Sequence, residues 1–101
     1  MELRRVVITG IGAITPIGNT APEYWDNLCK GVSGAGKITR FDSTKLKTHI
    51  ACEIKGYDSE AYFDRKESRK LDLYAQYAIV AADEAIKDSR IGKGNTDFDE
   101  V

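Results

Sequence analysis

The fold of this chain is decided by VVITGIGAITPIG, residues 6–18. Three β-branched residues open the stretch, and they predict a strand over Leu3–Thr9 that is buried on both faces. A glycine-rich turn comes directly after the strand, and a helix signal comes after the turn. This order is typical of the first βα unit of an α/β domain.

The glycines of the turn do not complete a dinucleotide-binding fingerprint. In G-x-G-x-x-G, Gly10 and Gly12 fill the first two places, but the third place falls on Thr15. Pro16 comes next, and it has no N–H to donate to a phosphate. We therefore expect no nucleotide cofactor, and we expect the two glycines to let neighbouring backbone pack closely.

Composition argues against several classes of protein. The 101 residues carry 15 basic and 16 acidic side chains, so overall basicity supports no nucleic-acid partner. There is no apolar run near the roughly 18 residues that span a bilayer. Met1–Arg5 leads straight into the predicted strand without the apolar core of a signal peptide. We expect a cytoplasmic protein that does not bind membranes.

The two cysteines and the single histidine make a poor catalytic set. Cys29 and Cys52 are too few for a disulfide framework and lack metal-ligand spacing, so we expect no metal. Cys29 falls near the carboxyl end of a predicted helix, where the helix dipole raises a thiol pKa, and Cys52 falls in a predicted strand. His49 lies on the polar face of that strand. We predict no catalytic residue among them.

The middle of the chain predicts a helix, a loop and a strand. Thr20–Glu23 has the pattern of a capping box that begins a helix, and Gly31 ends it. Val32–Lys47 shows no sustained period and is predicted to be a loop. Thr48–Lys55 alternates and predicts a half-buried strand. The apolar face of that strand would carry Ile50, Cys52 and Ile54.

Helical patterns dominate residues 64–87. Asp64 with Glu67 predicts a second capping box, and Leu71–Lys87 has a firm helical period. Asp83 and Lys87 are spaced to pair on the exposed side of that helix. A stripe of small residues permits another element to approach it closely: Ala78, Ala81, Ala82 and Ala85. Residues 98–101 have the pattern of the first residues of a further, parallel strand.

Five stretches, in this order, resemble motifs of the β-ketoacyl-acyl-carrier-protein synthases, the condensing enzymes of fatty-acid synthesis. The closest likeness is to the type II elongating synthase. The stretches are VVITGIGAITPIGN (6–19), YWDNL with GVSG (24–34), RFD (40–42), RKESRKLD (65–72) and AQYA with ADEA (75–85). The likeness extends from Leu3 to Ser89.

This resemblance implies a partial thiolase-like fold. The family's fold consists of two similar α/β halves stacked in five α-β-α-β-α layers, and its members are several times longer than this chain. Residues 1–101 are therefore expected to be a truncated amino-terminal fragment of the first half. The implied parent is a homodimeric acyltransferase, a 3-oxoacyl-[acyl-carrier-protein] synthase II. It would condense acyl and malonyl groups carried on the phosphopantetheine arm of acyl carrier protein, without a further cofactor.

The family's reaction requires residues that this chain does not contain as a set. It is a decarboxylative condensation that uses one nucleophilic cysteine and two histidines. The chain has a single histidine, so a complete Cys-His-His site is not contained in it. The fragment alone is expected to be inactive.

A cluster of four basic residues is the candidate binding site. Arg65, Lys66, Arg69 and Lys70 would span an arc of roughly 140° on a helix. From the residues alone, a solvated helix face with internal pairing to Asp64, Glu67 and Asp72 is the simpler interpretation. The resemblance implies another one, because in the family this motif belongs to the basic patch that docks acidic acyl carrier protein.

Two alternatives to the fatty-acid synthase remain open at this point. The chain also fits a fragment of a polyketide-type ketosynthase, and it fits a non-catalytic module that binds a carrier protein through its basic helix. A cysteine nucleophile with two histidines farther along the chain would favour an enzyme. Carrier docking is common to all three hypotheses.

Overall fold

A computed structural model describes residues 2–92 and residue 94 of the 101. Within that part of the chain, the elements in order are α1 (Ala21–Cys29), β1 (Ala35–Lys37), β2 (Ile50–Cys52), α2 (Arg65–Lys70) and α3 (Leu73–Ser89). A short 3-10 helix, Ser59–Ala61, precedes α2. The described chain is thus an α/β mixture with little sheet. The strand predicted at residues 98–101 lies outside the described residues.

The amino-terminal segment does not form the predicted strand. Residues 2–14 belong to no strand, and the side chains of Val6 and Ile8 are 89% and 84% exposed. The prediction over Leu3–Thr9 is therefore wrong for this structure. A strand buried on both faces needs neighbouring strands for its backbone ladder. Neither strand of the described sheet lies beside this segment.

Helix α1 is bounded as the sequence predicts. The Thr20 hydroxyl accepts a hydrogen bond from the amide of Glu23 at 3.3 Å. At the other end, Gly31 adopts φ +71° and its amide donates to the carbonyl of Leu28 at 3.2 Å. The amide of Val32 reaches back to Asn27 at 3.0 Å, which completes a Schellman cap. Local side chains and backbone groups therefore set both ends of this helix.

The sheet is a two-stranded antiparallel ribbon. Ala35 of β1 pairs with Cys52 of β2, so the predicted loop over Val32–Lys47 is wrong where β1 forms. The strand in Thr48–Lys55 is confirmed, but it is shorter than predicted and its apolar face is not buried. Ile50 is 64% exposed and Cys52 is exposed, since two strands alone cover neither face of a ribbon.

Helices α2 and α3 occupy the part of the chain in which helical patterns were predicted. The Asp64 carboxylate accepts from the amide of Glu67 at 2.7 Å and begins α2. Leu71 then adopts an extended conformation, φ −111° and ψ 129°, which separates the two helices. On α3 the predicted pair forms, with 2.8 Å between Lys87 Nζ and Asp83 Oδ2.

The glycine-rich turn packs against α3 with almost no space between the two backbones. A Cβ atom added to Gly12 would overlap the carbonyl oxygen of Ala81. A Cβ atom added to Gly10 would overlap the carbonyl oxygen of Ala85. Both glycines are therefore required by close approach, as predicted. The small-residue stripe has the expected role at Ala81 and Ala85, which are half-buried, whereas its other two members are exposed.

Hydrophobic burial in the described residues is slight. Val80 on α3, 9% exposed, is the only large apolar side chain there that counts as buried. The amino-terminal segment and both long helices leave apolar side chains in solvent, among them Trp25 at 65%. None of the helices described is both long enough and apolar enough to cross a membrane.

Candidate functional site

Helix α2 presents all four predicted basic side chains to solvent. Arg65, Lys66, Arg69 and Lys70 are exposed, and none of them makes an ion pair with a described residue. The internal pairing in the simpler interpretation is therefore not formed. Asp64, the acidic residue at the start of the helix, is bonded to a backbone amide instead. Four cations are left available on one short helix.

The order of charges along α2 partly suits the helix dipole. Arg69 and Lys70 lie in the last turn, next to carbonyl groups that carry partial negative charge. Arg65 and Lys66 lie in the first turn, where positive charge is unfavourable by about 0.3–1 kcal/mol per residue. The Asp64 cap and Glu67 offset that cost. The helix dipole therefore favours the two basic residues at the carboxyl end, and the acidic residues make the two at the amino end tolerable.

Gln76 fixes the carboxyl end of α2 to α3. This side chain is only 3% exposed. Its Nε2 donates to the carbonyl oxygens of Ser68 and Leu71, each at 3.0 Å. The last carbonyls of a helix have no partner within the helix, so a side chain from another element is needed to satisfy them away from water.

Tyr57 completes the hydrogen bonding of Gln76. The Tyr57 hydroxyl donates to Gln76 Oε1 at 2.7 Å. Its ring stacks on Tyr62, with centroids 5.8 Å apart, and makes a T-shaped contact with Tyr77, with centroids 4.9 Å apart. Burial raises the pKa of the Tyr57 phenol, which favours the protonated form that donates this bond.

A second network joins α3 to the segment after β1. Arg40 Nη2 donates to the Tyr77 hydroxyl at 3.0 Å, and this bond raises the pKa of the guanidinium. The Glu53 carboxylate accepts from the amide and hydroxyl of Thr39, and the hydroxyl bond is the main reason that the pKa of Glu53 is lowered. This network joins the aromatic cluster of Tyr57, Tyr62 and Tyr77 to residues that flank the two strands.

Two carboxylates of α3 accept hydrogen bonds from amides of the glycine-rich turn and of the first residue of α1. Glu84 Oε1 accepts from the amide of Ala13 at 2.8 Å, and Glu84 Oε2 accepts from that of Ala21 at 3.0 Å. Asp88 accepts from the amide of Ile11 at 3.1 Å. These are amides that a phosphate would need, and negative side chains already hold them.

The cysteines and the histidine lie on separate elements. Cys29 ends α1 and Cys52 lies in β2, and both are free and exposed. His49 Nδ1 lies 3.3 Å from the hydroxyl of Ser43, which is 4% exposed. Among the residues that the structure describes, no three His, Cys, Asp or Glu side chains are grouped as a metal ion would require.

Two polar residues of α3 were not indicated by the sequence patterns: Gln76, which bonds the end of α2, and Glu84, which bonds the amides of Ala13 and Ala21. Gln76 and Glu84 lie eight residues apart on α3, with Val80 halfway between them, so the three share one helix face. That face points inward, as the burial of Gln76 and Val80 shows. Polar residues on the inner face of a helix were the available signal.

The family model for the amino-terminal domain of β-ketoacyl synthase matches residues 3–100. The chain belongs to the β-ketoacyl synthase family. The resemblance carried by the five sequence motifs is thus confirmed. In this family context, RKESRKLD coincides with α2 and its connection to α3.

Individual β-ketoacyl synthases are similar over nearly the whole chain. A 3-oxoacyl-[acyl-carrier-protein] synthase 2 of Staphylococcus aureus (strain N315) is 46% identical over 98 residues, which cover 97% of this chain and 24% of that protein. The Synechocystis enzyme of the same name (strain ATCC 27184 / PCC 6803 / Kazusa) is 41% identical over 101 residues, again 24% of its length and all of this chain. This chain therefore spans about a quarter of the curated relatives that it matches.

A solved structure shares the fold. The ishigamide ketosynthase/chain length factor superposes with a TM-score of 0.78 at 36% identity, over 87% of this chain and 22% of that chain. The described elements are thus consistent with part of a thiolase-like fold.

Proposed function

We propose that this chain is the amino-terminal segment of a 3-oxoacyl-[acyl-carrier-protein] synthase II. The whole enzyme would extend a fatty acyl chain by condensing acyl and malonyl groups held on acyl carrier protein. The support is the identity of 41–46% to proteins of that name over nearly all of this chain. A cytoplasmic homodimer is the form that we propose for the whole enzyme.

This segment would supply structure and docking, while the chemistry would take place on residues outside it. The chain has one histidine, and its cysteines are on separate elements and exposed. A cysteine nucleophile and two histidines are therefore expected elsewhere in the whole enzyme. The isolated segment would form no β-ketoacyl product.

The observation that carries the docking role is the unpaired state of the cations on α2. Arg65, Lys66, Arg69 and Lys70 are exposed and lack ion pairs with described residues. Such a surface attracts an acidic protein and orients it during the encounter. Acyl carrier protein is the partner that the names of the relatives supply, and the family resemblance implies that it is acidic.

The test uses a full-length synthase that carries this segment, with Lys66→Glu combined with Arg69→Glu. Reversal of two charges turns attraction into repulsion, so KM for carrier-bound substrate is expected to rise about tenfold or more. The loss would lie mainly in the association rate and would shrink with added salt, because exposed charges are screened within about 10 Å at 0.1 M. Transfer from a small acyl thioester would stay near that of the unmodified enzyme.

A matched control reverses two other exposed lysines, Lys45→Glu with Lys47→Glu, in the loop between β1 and β2. It changes the net charge by the same amount but leaves α2 intact. If both pairs weaken carrier-dependent activity equally, overall charge is responsible and α2 is not the docking site. If the α2 pair lowers activity with both substrates equally, the helix is structural only.

A polyketide-type ketosynthase is the second candidate. The observation in its favour is the structural similarity to the ishigamide ketosynthase/chain length factor. Product analysis with the whole enzyme separates the two candidates. A fatty-acid synthase is expected to stop after one condensation until the β-keto group is reduced, so repeated condensation without reduction would favour the polyketide enzyme.

A further inference from the structure

Gln76 is a buried polar residue whose side-chain amide donates only to the end of the basic helix. It is 3% exposed, and both of its bonds as a donor go to carbonyl groups at the end of α2, Ser68 and Leu71. Tyr57 supplies the third bond, to Gln76 Oε1. A fully satisfied buried network of this kind specifies one arrangement of the elements that it joins.

Helix α2 has few other means of holding its position. It has only six residues, none of them buried, and a helix this short is marginal in isolation. Its amino end is fixed by the Asp64 cap. Its carboxyl end leads into Leu71, which is extended, so it does not continue into α3. Gln76 therefore makes the polar connection between the end of α2 and the rest of the structure.

Loss of that connection would weaken a docking surface. The four cations reach a partner in one arrangement only while the helix axis is fixed. If the helix frays or tilts, a partner must order it during binding, and ordering its long side chains costs conformational entropy. Affinity falls without any change in charge.

We propose that Gln76, supported by Tyr57, is the positioning residue of the carrier-docking surface. The inference rests on the docking role proposed above for α2. It assigns to two uncharged residues, outside the basic motif, control over how tightly the acidic carrier protein is bound.

The test compares Gln76→Met and Tyr57→Phe in a full-length synthase that carries this segment. Methionine keeps the size of the side chain but loses all three hydrogen bonds, and phenylalanine removes one of them while retaining the ring contacts. KM for carrier-bound substrate is expected to rise about tenfold for Gln76→Met and about threefold for Tyr57→Phe. The kcat and the transfer from a small acyl thioester would be unchanged.

A matched control is Tyr74→Phe on α3. Tyr74 is 76% exposed, and its hydroxyl makes no hydrogen bond with a described residue, so its removal should leave KM unaltered. Hydrogen exchange gives a second readout. Amides of α2 should exchange faster in Gln76→Met, while those of α1 keep the original rate. If Gln76→Met does not fold, the proposal is judged on Tyr57→Phe alone, and an unchanged KM for carrier-bound substrate in that variant would contradict it.

The salt dependence of binding to purified acyl carrier protein separates this proposal from the docking role itself. Gln76→Met should weaken binding with the original salt dependence, whereas Lys66→Glu with Arg69→Glu should reduce that dependence. If only the charge-reversed enzyme loses affinity, docking stands and the role of Gln76 is refuted. If the charge-reversed enzyme keeps its affinity, the docking role fails, and the inference that rests on it fails as well.

Discussion

The glycine-rich turn and the basic helix satisfy their polar groups in opposite ways. In the turn, the amides of Ile11 and Ala13 are bonded to carboxylates of α3, and Gly12 lies against the α3 backbone. In α2, the backbone ends are satisfied by Asp64 and Gln76, while the charged side chains remain in solvent. One region uses its polar groups within the chain, and the other leaves its charges available to a partner.

The contacts distinguish the two regions more clearly than the sequence does. Both regions have a biased composition, glycine in one and lysine and arginine in the other. The contacts show that the glycines serve close packing, whereas the cations form no ion pair among the described residues. We therefore expect substitutions in the turn to change stability and substitutions of the α2 cations to change binding.

The largest expected effect lies in the turn, at Gly12→Val. The new side chain would overlap the backbone of Ala81, which cannot move aside without shifting α3. We expect the free energy of unfolding to fall by about 3 kcal/mol or more, measured by urea denaturation of a full-length synthase that carries this segment. Gly36→Ala is the control, because open space surrounds Gly36, and it should change stability by under about 1 kcal/mol. Equal effects would mean that the close packing is unimportant.

A smaller effect is expected at Glu84→Gln. The carboxylate accepts from the amides of both Ala13 and Ala21, and an amide side chain has only one oxygen to offer them. We expect a loss of about 2 kcal/mol in the same assay. The matched control is Asp83→Asn, which breaks an exposed ion pair with Lys87 and should cost below about 0.5 kcal/mol. Similar losses in the two variants would contradict the bridging role of Glu84.

The smallest effect is expected in the basic helix, at Asp64→Ala. Loss of the cap on α2 should cost about 1 kcal/mol of local helix stability. Hydrogen exchange would show faster exchange in α2 and no change in α3. Asp72→Ala is a stringent control, since Asp72 occupies the same position in α3 but makes no capping hydrogen bond with its side chain. If exchange in α3 also accelerates on loss of Asp64, the two helices are one cooperative unit and the contrast between the regions is lost.

Most of the features that sequence predicted correctly are decided locally. Thr20, Gly31 and Asp64 set helix ends through bonds to residues a few positions away, and these patterns can be recognised from spacing alone. The roles of Gly10 and Gly12 were also predicted, because the glycines and the alanine stripe each indicated close approach.

The features that sequence missed depend on distant partners. Strand β1 has no apolar alternation of its own and exists because β2 pairs with it. The segment Leu3–Thr9 has strong strand composition but lacks a neighbouring strand in the described residues. Gln76 supports the candidate site through Ser68 and Leu71, but it is itself held by Tyr57, nineteen positions earlier in the chain. Such pairings depend on the tertiary arrangement and leave only a weak signal in the residues themselves.

The hydrogen bond between Glu84 and Ala13 also constrains the order in which parts of the chain can fold during synthesis. It joins positions that are 71 residues apart, so the turn cannot reach its final hydrogen bonding until α3 is present. On the ribosome, Ala13 emerges before Glu84, so the amide of Ala13 lacks this hydrogen-bond partner until α3 has been synthesised. Closing a long loop before its contacts form is slow and leaves apolar surface uncovered meanwhile. Val6 and Ile8 remain exposed even with α3 in place, so the amino-terminal segment favours aggregation wherever nothing else covers it.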